Sequence, residues 1–125
     1  MKIIVSSTGK DIKDNIDARF GRCPYFLAVN VDKEKKEIQN FKAIKNTAAE
    51  QFGGAGITAA QLVADDKPEV IITTNMGPKA FQALDQLGVD IYQGSGNIEN
   101  VINKFMVDKL KKIPKATGPM FKGKN

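Results

Sequence analysis

The chain contains no histidine, and that absence removes histidine-based catalytic triads and most zinc sites before any other residue is considered. It has a single cysteine, Cys23, so no internal disulfide can form and nothing in its cysteine usage points to secretion. Long apolar runs are missing as well. No window approaches the roughly 18 consecutive apolar residues that suggest a transmembrane helix, so no membrane partner is expected. The opening residues Met1-Lys2-Ile3-Ile4-Val5 run straight into Ser6-Ser7. They lack the apolar stretch and cleavage site of a signal peptide and read as a first strand. The expected location is the cytoplasm.

What is present fits one small domain. The 125 residues leave little room for a second, and 42% apolar content is enough for one real core. The net charge of +5 is unevenly placed: residues 104–125 carry seven lysines against one acid, Asp108. The remaining 103 residues hold twelve basic and thirteen acidic side chains, so the body is nearly neutral. A nucleic-acid domain more often carries its positive charge on a folded face with aromatics interleaved, so no nucleic acid is expected as a partner. The division expected is a single domain over residues 1–112 and a basic, flexible tail over 113–125.

Periodicity and turn chemistry give the order of elements. Ile3-Ile4-Val5 has the apolar run of a buried strand. Residues 25–31 (YFLAVNV) and 37–43 (EIQNFKA) read as two strands joined by the charged turn at 32–36, an antiparallel hairpin. Ile57, Ala60 and Ala64 set a helical spacing, closed by Pro68, and Val70-Ile71-Ile72 is another buried-strand run. Gly77-Pro78 opens a second helix with proline in the favoured first turn, and Gly88 is placed to cap its end. Val89-Asp90-Ile91-Tyr92 is a fifth strand. A third helix then carries Ile98, Val101, Ile102 and Phe105 on one face, with Met106 and Leu110 beside it, and Pro114 ends it. The order β, β, β, α, β, α, β, α requires parallel strands with right-handed crossovers in its second half. The fold class expected is α/β: a five-stranded mixed sheet with helices on its faces, the layout of ribonuclease-H-like folds.

Several glycine-bearing segments fall where such a sheet would bind ligands, outside the carboxyl ends of its strands. They are Gly53-Gly54-Ala55-Gly56, Thr73-Thr74-Asn75-Met76-Gly77-Pro78, Ser6-Ser7-Thr8-Gly9 and Gly94-Ser95-Gly96. Glycine lets backbone donors approach an anion closely, although the same residues serve equally well to turn the chain. Neither GxxxxGK[ST] nor GxGxxG occurs. A nuclease would need carboxylates gathered on the strands to hold magnesium, and the first and fourth strands carry none.

The densest chemistry is Asp17-Ala18-Arg19-Phe20-Gly21-Arg22-Cys23-Pro24-Tyr25-Phe26. Two arginines offer fork-shaped donors to an anion, and Asp17 is placed to orient one of them. Cationic neighbours would lower the pKa of Cys23 and favour the thiolate that binds iron or zinc. The alternative is an ion pair that staples a loop around a small buried thiol. One thiolate does not hold a cluster alone. Met76 and Met120 are soft donors that could add to it, though methionine more often fills core gaps.

These segments resemble the dinitrogenase iron–molybdenum cofactor-binding family, which includes NifX, the C-terminal segment of NifB and short stand-alone proteins. The resemblance rests on Asp17-x-Arg19-Phe20-Gly21-Arg22-x-Pro24-x-Phe26, Gly54-Ala55-Gly56-Ile57-x-Ala59-Ala60 and Asn75-Met76-Gly77-Pro78-x-Ala80-Phe81. It implies a ribonuclease-H-like sheet and a role related to nitrogen fixation. The chain would bind or carry an iron–molybdenum cofactor or an iron–sulfur precursor, with a cluster donor or acceptor protein as partner and no catalysis of its own. The cofactor-binding residues expected on this basis are Arg19, Arg22, Cys23, Gly54, Gly56, Asn75, Met76 and Gly77, with Cys23 as the metal ligand. The alternatives are a regulatory module that binds a small anion or a protein partner and, on fold alone, a metal-dependent nuclease.

Overall fold

A computed structural model describes residues 1–114 and 116. Its elements in chain order are β1 (Lys2–Ser7), β2 (Tyr25–Asp32), β3 (Glu37–Lys45), α1 (Ala55–Ala64), β4 (Val70–Thr73), α2 (Pro78–Gln86), β5 (Asp90–Gln93), α3 (Ile98–Met106) and β6 (Lys111–Lys112). They form one mixed sheet in the order β3-β2-β1-β4-β5-β6. β1 and β2 pair antiparallel, as do β2 and β3, while β4 runs parallel to both β1 and β5.

The alternation of side chains explains why both faces need helices. Ile4 and Ile71 point to one face, where they meet Ala59, Val63, Ala80 and Leu84 of α1 and α2. Ile3, Val5, Val70 and Ile72 point to the other, against Ile98, Val101, Ile102 and Phe105 of α3. A strand covered on both faces is apolar throughout, and the central β1 and β4 are buried along almost their whole length. The β2–β3 hairpin turns at Lys36, whose φ of 58° is left-handed, and α2 ends with Gly88 at φ 79°, the capping role expected of it.

The sheet has six strands, not five. The third helix stops at Met106, Asp108 adopts φ 60°, and the chain folds back so that Lys111 and Lys112 pair antiparallel with Gln93 and Tyr92. Ile113 is buried and donates its N–H to the carbonyl of Ile91 at 2.7 Å, so the core extends one residue beyond 112. The unpaired edge of β5 is what recruits these residues, and lysines suit the new edge because their charge discourages further strand pairing. Apart from residues 113, 114 and 116, the expected tail lies outside the described residues, and so does Met120.

β1, β4 and β5 are mutually parallel, so their carboxyl ends share one edge of the sheet. The chain leaves β1 toward β2 on one side, whereas β4 lies on the other. That divergence opens a crevice of the kind in which α/β sheets bind ligands. A parallel bridge between Arg19 and Asn75 crosses it.

Candidate functional site

Three segments that are remote in sequence meet at this crevice. The turn after β1 supplies Ala18, Arg19, Phe20, Gly21 and Arg22. The start of α1 supplies Gly54, Ala55, Gly56 and Ile57, and the start of α2 supplies Asn75, Gly77, Pro78, Lys79 and Ala80. Together they line a cleft of ≈ 480 Å³.

The close approach of the first two segments depends on Gly21. A Cβ at this position would lie 2.9 Å from both the Cα and the N of Gly56, a backbone contact that cannot yield as a side chain would. Asn46 locks the same turn from beneath. Its buried amide donates to the carbonyls of Gly21 (3.1 Å) and Cys23 (2.8 Å), and its Oδ1 accepts from the N–H of Ala48.

Both helices begin at the cleft without a side-chain cap. Gly54 precedes α1 at φ 70°, Gly77 precedes α2 in extended backbone, and neither helix has an acidic residue in its first turn. The N–H groups of a helix's first turn have no partner within the helix, and the helix dipole places partial positive charge there. Two such ends converging on one cavity make an anion-attracting site. At α3 the same need is met internally, since Asn97 accepts the N–H of Asn100 at 3.0 Å.

The two arginines at the rim are held differently. Asp17, buried, accepts from Nε and Nη2 of Arg19 at 3.0 Å each and from its backbone N–H at 2.9 Å. Burial alone would raise the Asp17 carboxyl, but the Arg19 hydrogen bonds and charge outweigh it and hold the group below the usual carboxylate range. Asp17 in turn raises the pKa of Arg19. The pair is close to neutral. Arg22 makes no ion pair among the described residues, and its Nη1 donates to the carbonyls of Ala49 (2.9 Å) and Gln51 (2.6 Å). It therefore brings a full positive charge to the cleft.

Of the expected site residues, Arg19, Arg22, Gly54, Gly56, Asn75 and Gly77 line this one cleft. Met76 is buried in the core beside α1 and α2 and is not among the lining residues. Cys23 is also fully buried: its Sγ donates to the carbonyl of Phe20 at 3.4 Å and lies 3.9 Å from the Asn46 amide. The expected lowering of its pKa does not occur. Burial pushes the thiol up to about 12, the negative charge of Asp17 adds to the shift, and hydrogen bonding to the Ser7 backbone and the Asn46 amide only partly opposes it. No group of three or more Cys, Asp or Glu is placed to hold a metal ion among the described residues.

Two of the four glycine segments lie elsewhere. A Cβ on Gly94 would meet Val101 at 2.7 Å and Ile72 at 3.1 Å, so that glycine serves the packing of α3. Ser7 and Gly9 close a small turn on each other, with the Ser7 hydroxyl donating to the Gly9 carbonyl at 2.6 Å. Sequence reasoning did not single out Asn46 or Lys79. Nothing local distinguishes a buried asparagine after an exposed strand, or a lysine in a helix's first turn, from surface polar residues. No helix among the described residues is long and apolar enough to cross a membrane.

Comparison with known proteins gives one family. At 36% identity the chain matches an uncharacterized protein of Methanocaldococcus jannaschii, MJ0580, over 115 residues, covering 90% of this chain and 96% of that one. Its fold is similar to the apo form of the orange protein from Desulfovibrio gigas, with a TM-score of 0.81 and 28% identity over 94% and 96% of the two chains. It is also similar to TM1290 from Thermotoga, with a TM-score of 0.75 and 28% identity over 94% and 97%. The family model described as dinitrogenase iron-molybdenum cofactor matches residues 1–108, all three cleft-lining segments included, and the chain belongs to that family.

Proposed function

We propose that the protein is a cytoplasmic carrier that holds an anionic metal–sulfur cluster, of iron–sulfur or iron–molybdenum type, in the cleft between Arg22 and the starts of α1 and α2, and that it performs no catalysis of its own. The observation that carries this reading is the convergence on one cavity of two helix N-termini without side-chain caps and a guanidinium that forms no ion pair among the described residues. Family membership supplies the class of cargo. The strand order β3-β2-β1-β4-β5 supports reading the sheet as a ribonuclease-H-like layout extended by β6, with the domain continuing to Ile113.

The donor set fits the cargo's charge rather than its metal atoms. Backbone N–H groups and guanidinium nitrogens bind anions, whereas the thiol of Cys23 is neutral and enclosed in the core. On this reading the cluster is held whole, through hydrogen bonds and charge, so that it can be passed to an acceptor protein.

Anaerobic titration with a synthetic iron–sulfur cluster or isolated iron–molybdenum cofactor, followed by gel filtration and metal analysis, tests the proposal. Wild type and Cys23→Ala should retain equal cluster, Arg22→Ala should retain much less, and Arg19→Ala should fall between. No retention by wild type would refute the carrier reading. A second reading, a module for a small anion, draws on the same cleft and on the lack of a soft ligand lining it. It predicts phosphate-type anions binding where cluster does not.

A further inference from the structure

A second cleft of ≈ 520 Å³ lies beside the first, and Arg19 and Arg22 line both, forming a ridge between them. Its other side is built from Tyr25 at the start of β2 and Lys45 at the end of β3, which are paired in register. The ammonium of Lys10 sits 5.4 Å above the Tyr25 ring. Glu50 is the one acidic residue lining this cleft. Asp17 already balances Arg19, so among the lining residues Arg22 and Lys45 stand against Glu50 and the cleft is net positive, with Lys10 adding charge from over the Tyr25 ring. Neither Lys45 nor Arg22 forms an ion pair among the described residues. Two cationic clefts joined at a shared arginine ridge suit a ligand longer than either one.

We infer that the second cleft is a further anion subsite, continuous with the first across the arginine ridge, and that the ligand class is an elongated polyanion. One anionic end lies at the starts of α1 and α2, and the other lies beside Lys45. Arg22 reaches both, and Glu50 limits how much negative charge the second subsite accepts. The inference rests on the anion-binding reading of the first cleft and adds its extent and the residue that selects for length.

Calorimetric titration of the full chain with orthophosphate, pyrophosphate and tripolyphosphate, at one low ionic strength, tests it. Affinity should rise along the series for wild type. Lys45→Gln should weaken tripolyphosphate roughly 1.5- to fivefold, the range of an exposed charge pair, and leave orthophosphate unchanged. Glu50→Gln should strengthen tripolyphosphate by a similar factor. Lys35→Gln removes the same charge from the turn at the far end of the hairpin and should change neither, with thermal melts confirming that each variant folds. The inference is overturned if tripolyphosphate binds no tighter than orthophosphate, if Lys45→Gln weakens both anions equally, or if Lys35→Gln matches it. Tripolyphosphate binding that needs Arg22 but ignores Lys45 would remove the second subsite and leave the first. Cluster retention by a wild type that binds no phosphate would overturn this inference while the carrier reading stands.

Discussion

Arg22 and Cys23 are adjacent in the chain and occupy opposite environments, one exposed at the cleft and the other fully buried. The sequence shows the pair, and the chemistry of each residue type suggests that both serve a ligand. Only the three-dimensional path separates them, because a turn of this kind sends one side chain outward and the next inward. Thiol burial is a tertiary property with no local signature, which is why the sequence left Cys23 open between a metal ligand and a small buried thiol, and the structure places it in the core. The buried thiol has a measurable consequence. Its pKa is raised from an ordinary 9.0 to about 12, so the stability it contributes is fully present below pH 9 and is lost as pH rises toward 12. Urea unfolding across that range should show wild type losing stability more steeply than Cys23→Ala, although the variant is less stable at neutral pH. Ellman's reagent should leave the native thiol unmodified at pH 8 and react once the protein is denatured; rapid native reaction would contradict the burial.

At the scale of elements, the glycines of the cleft divide into those the fold requires and those the cavity uses. Gly21 admits no side chain because the backbone of Gly56 occupies the space, whereas a methyl group on Gly56 would meet only the Ala80 Cβ, at an ordinary 3.8 Å. Gly21→Ala should therefore destabilise the protein by about 1–3 kcal/mol, as overpacking against an unyielding neighbour does. Gly56→Ala, in the first turn of α1, should be neutral or stabilising by up to ~1 kcal/mol and yet weaken anion binding, since its methyl group would line the cleft. Chemical denaturation of both variants beside anion titrations would check the split; equal losses of stability would contradict it. The same division describes what could be read in advance. Strands β1 to β5 and helices α1 to α3 announce themselves by apolar runs, spacing, Pro78 and Gly88. β6 does not. Two lysines carry no strand pattern, and their pairing is imposed by the open edge of β5.

At the scale of the whole molecule, the position of the cleft follows from the topology of the sheet. The outer edges carry charged strands: β3 is mostly exposed, and β6 presents Lys111 and Lys112, the latter paired with Asp90 at 2.9 Å. The crevice beside β1 and β4 gathers the arginine turn and two helix N-termini instead. The location of the glycine segments near one sheet edge was legible from topology, but which of them line the cleft was not, because that depends on tertiary packing: Gly94 sits against Val101 and Ile72, whereas Gly54, at φ 70°, opens α1 at the cleft. The most direct test of the central claim, that an anionic cluster rests against the starts of α1 and α2, is an anaerobic titration of ¹⁵N-labelled protein with an iron–sulfur cluster, following backbone amide signals. The account predicts shifts or paramagnetic broadening concentrated at Arg22, Gly54, Gly56, Gly77 and Ala80, unchanged in Cys23→Ala. Perturbation centred on Gly94 and α3, or spread over the lysines of β6 with the cleft amides untouched, would contradict it.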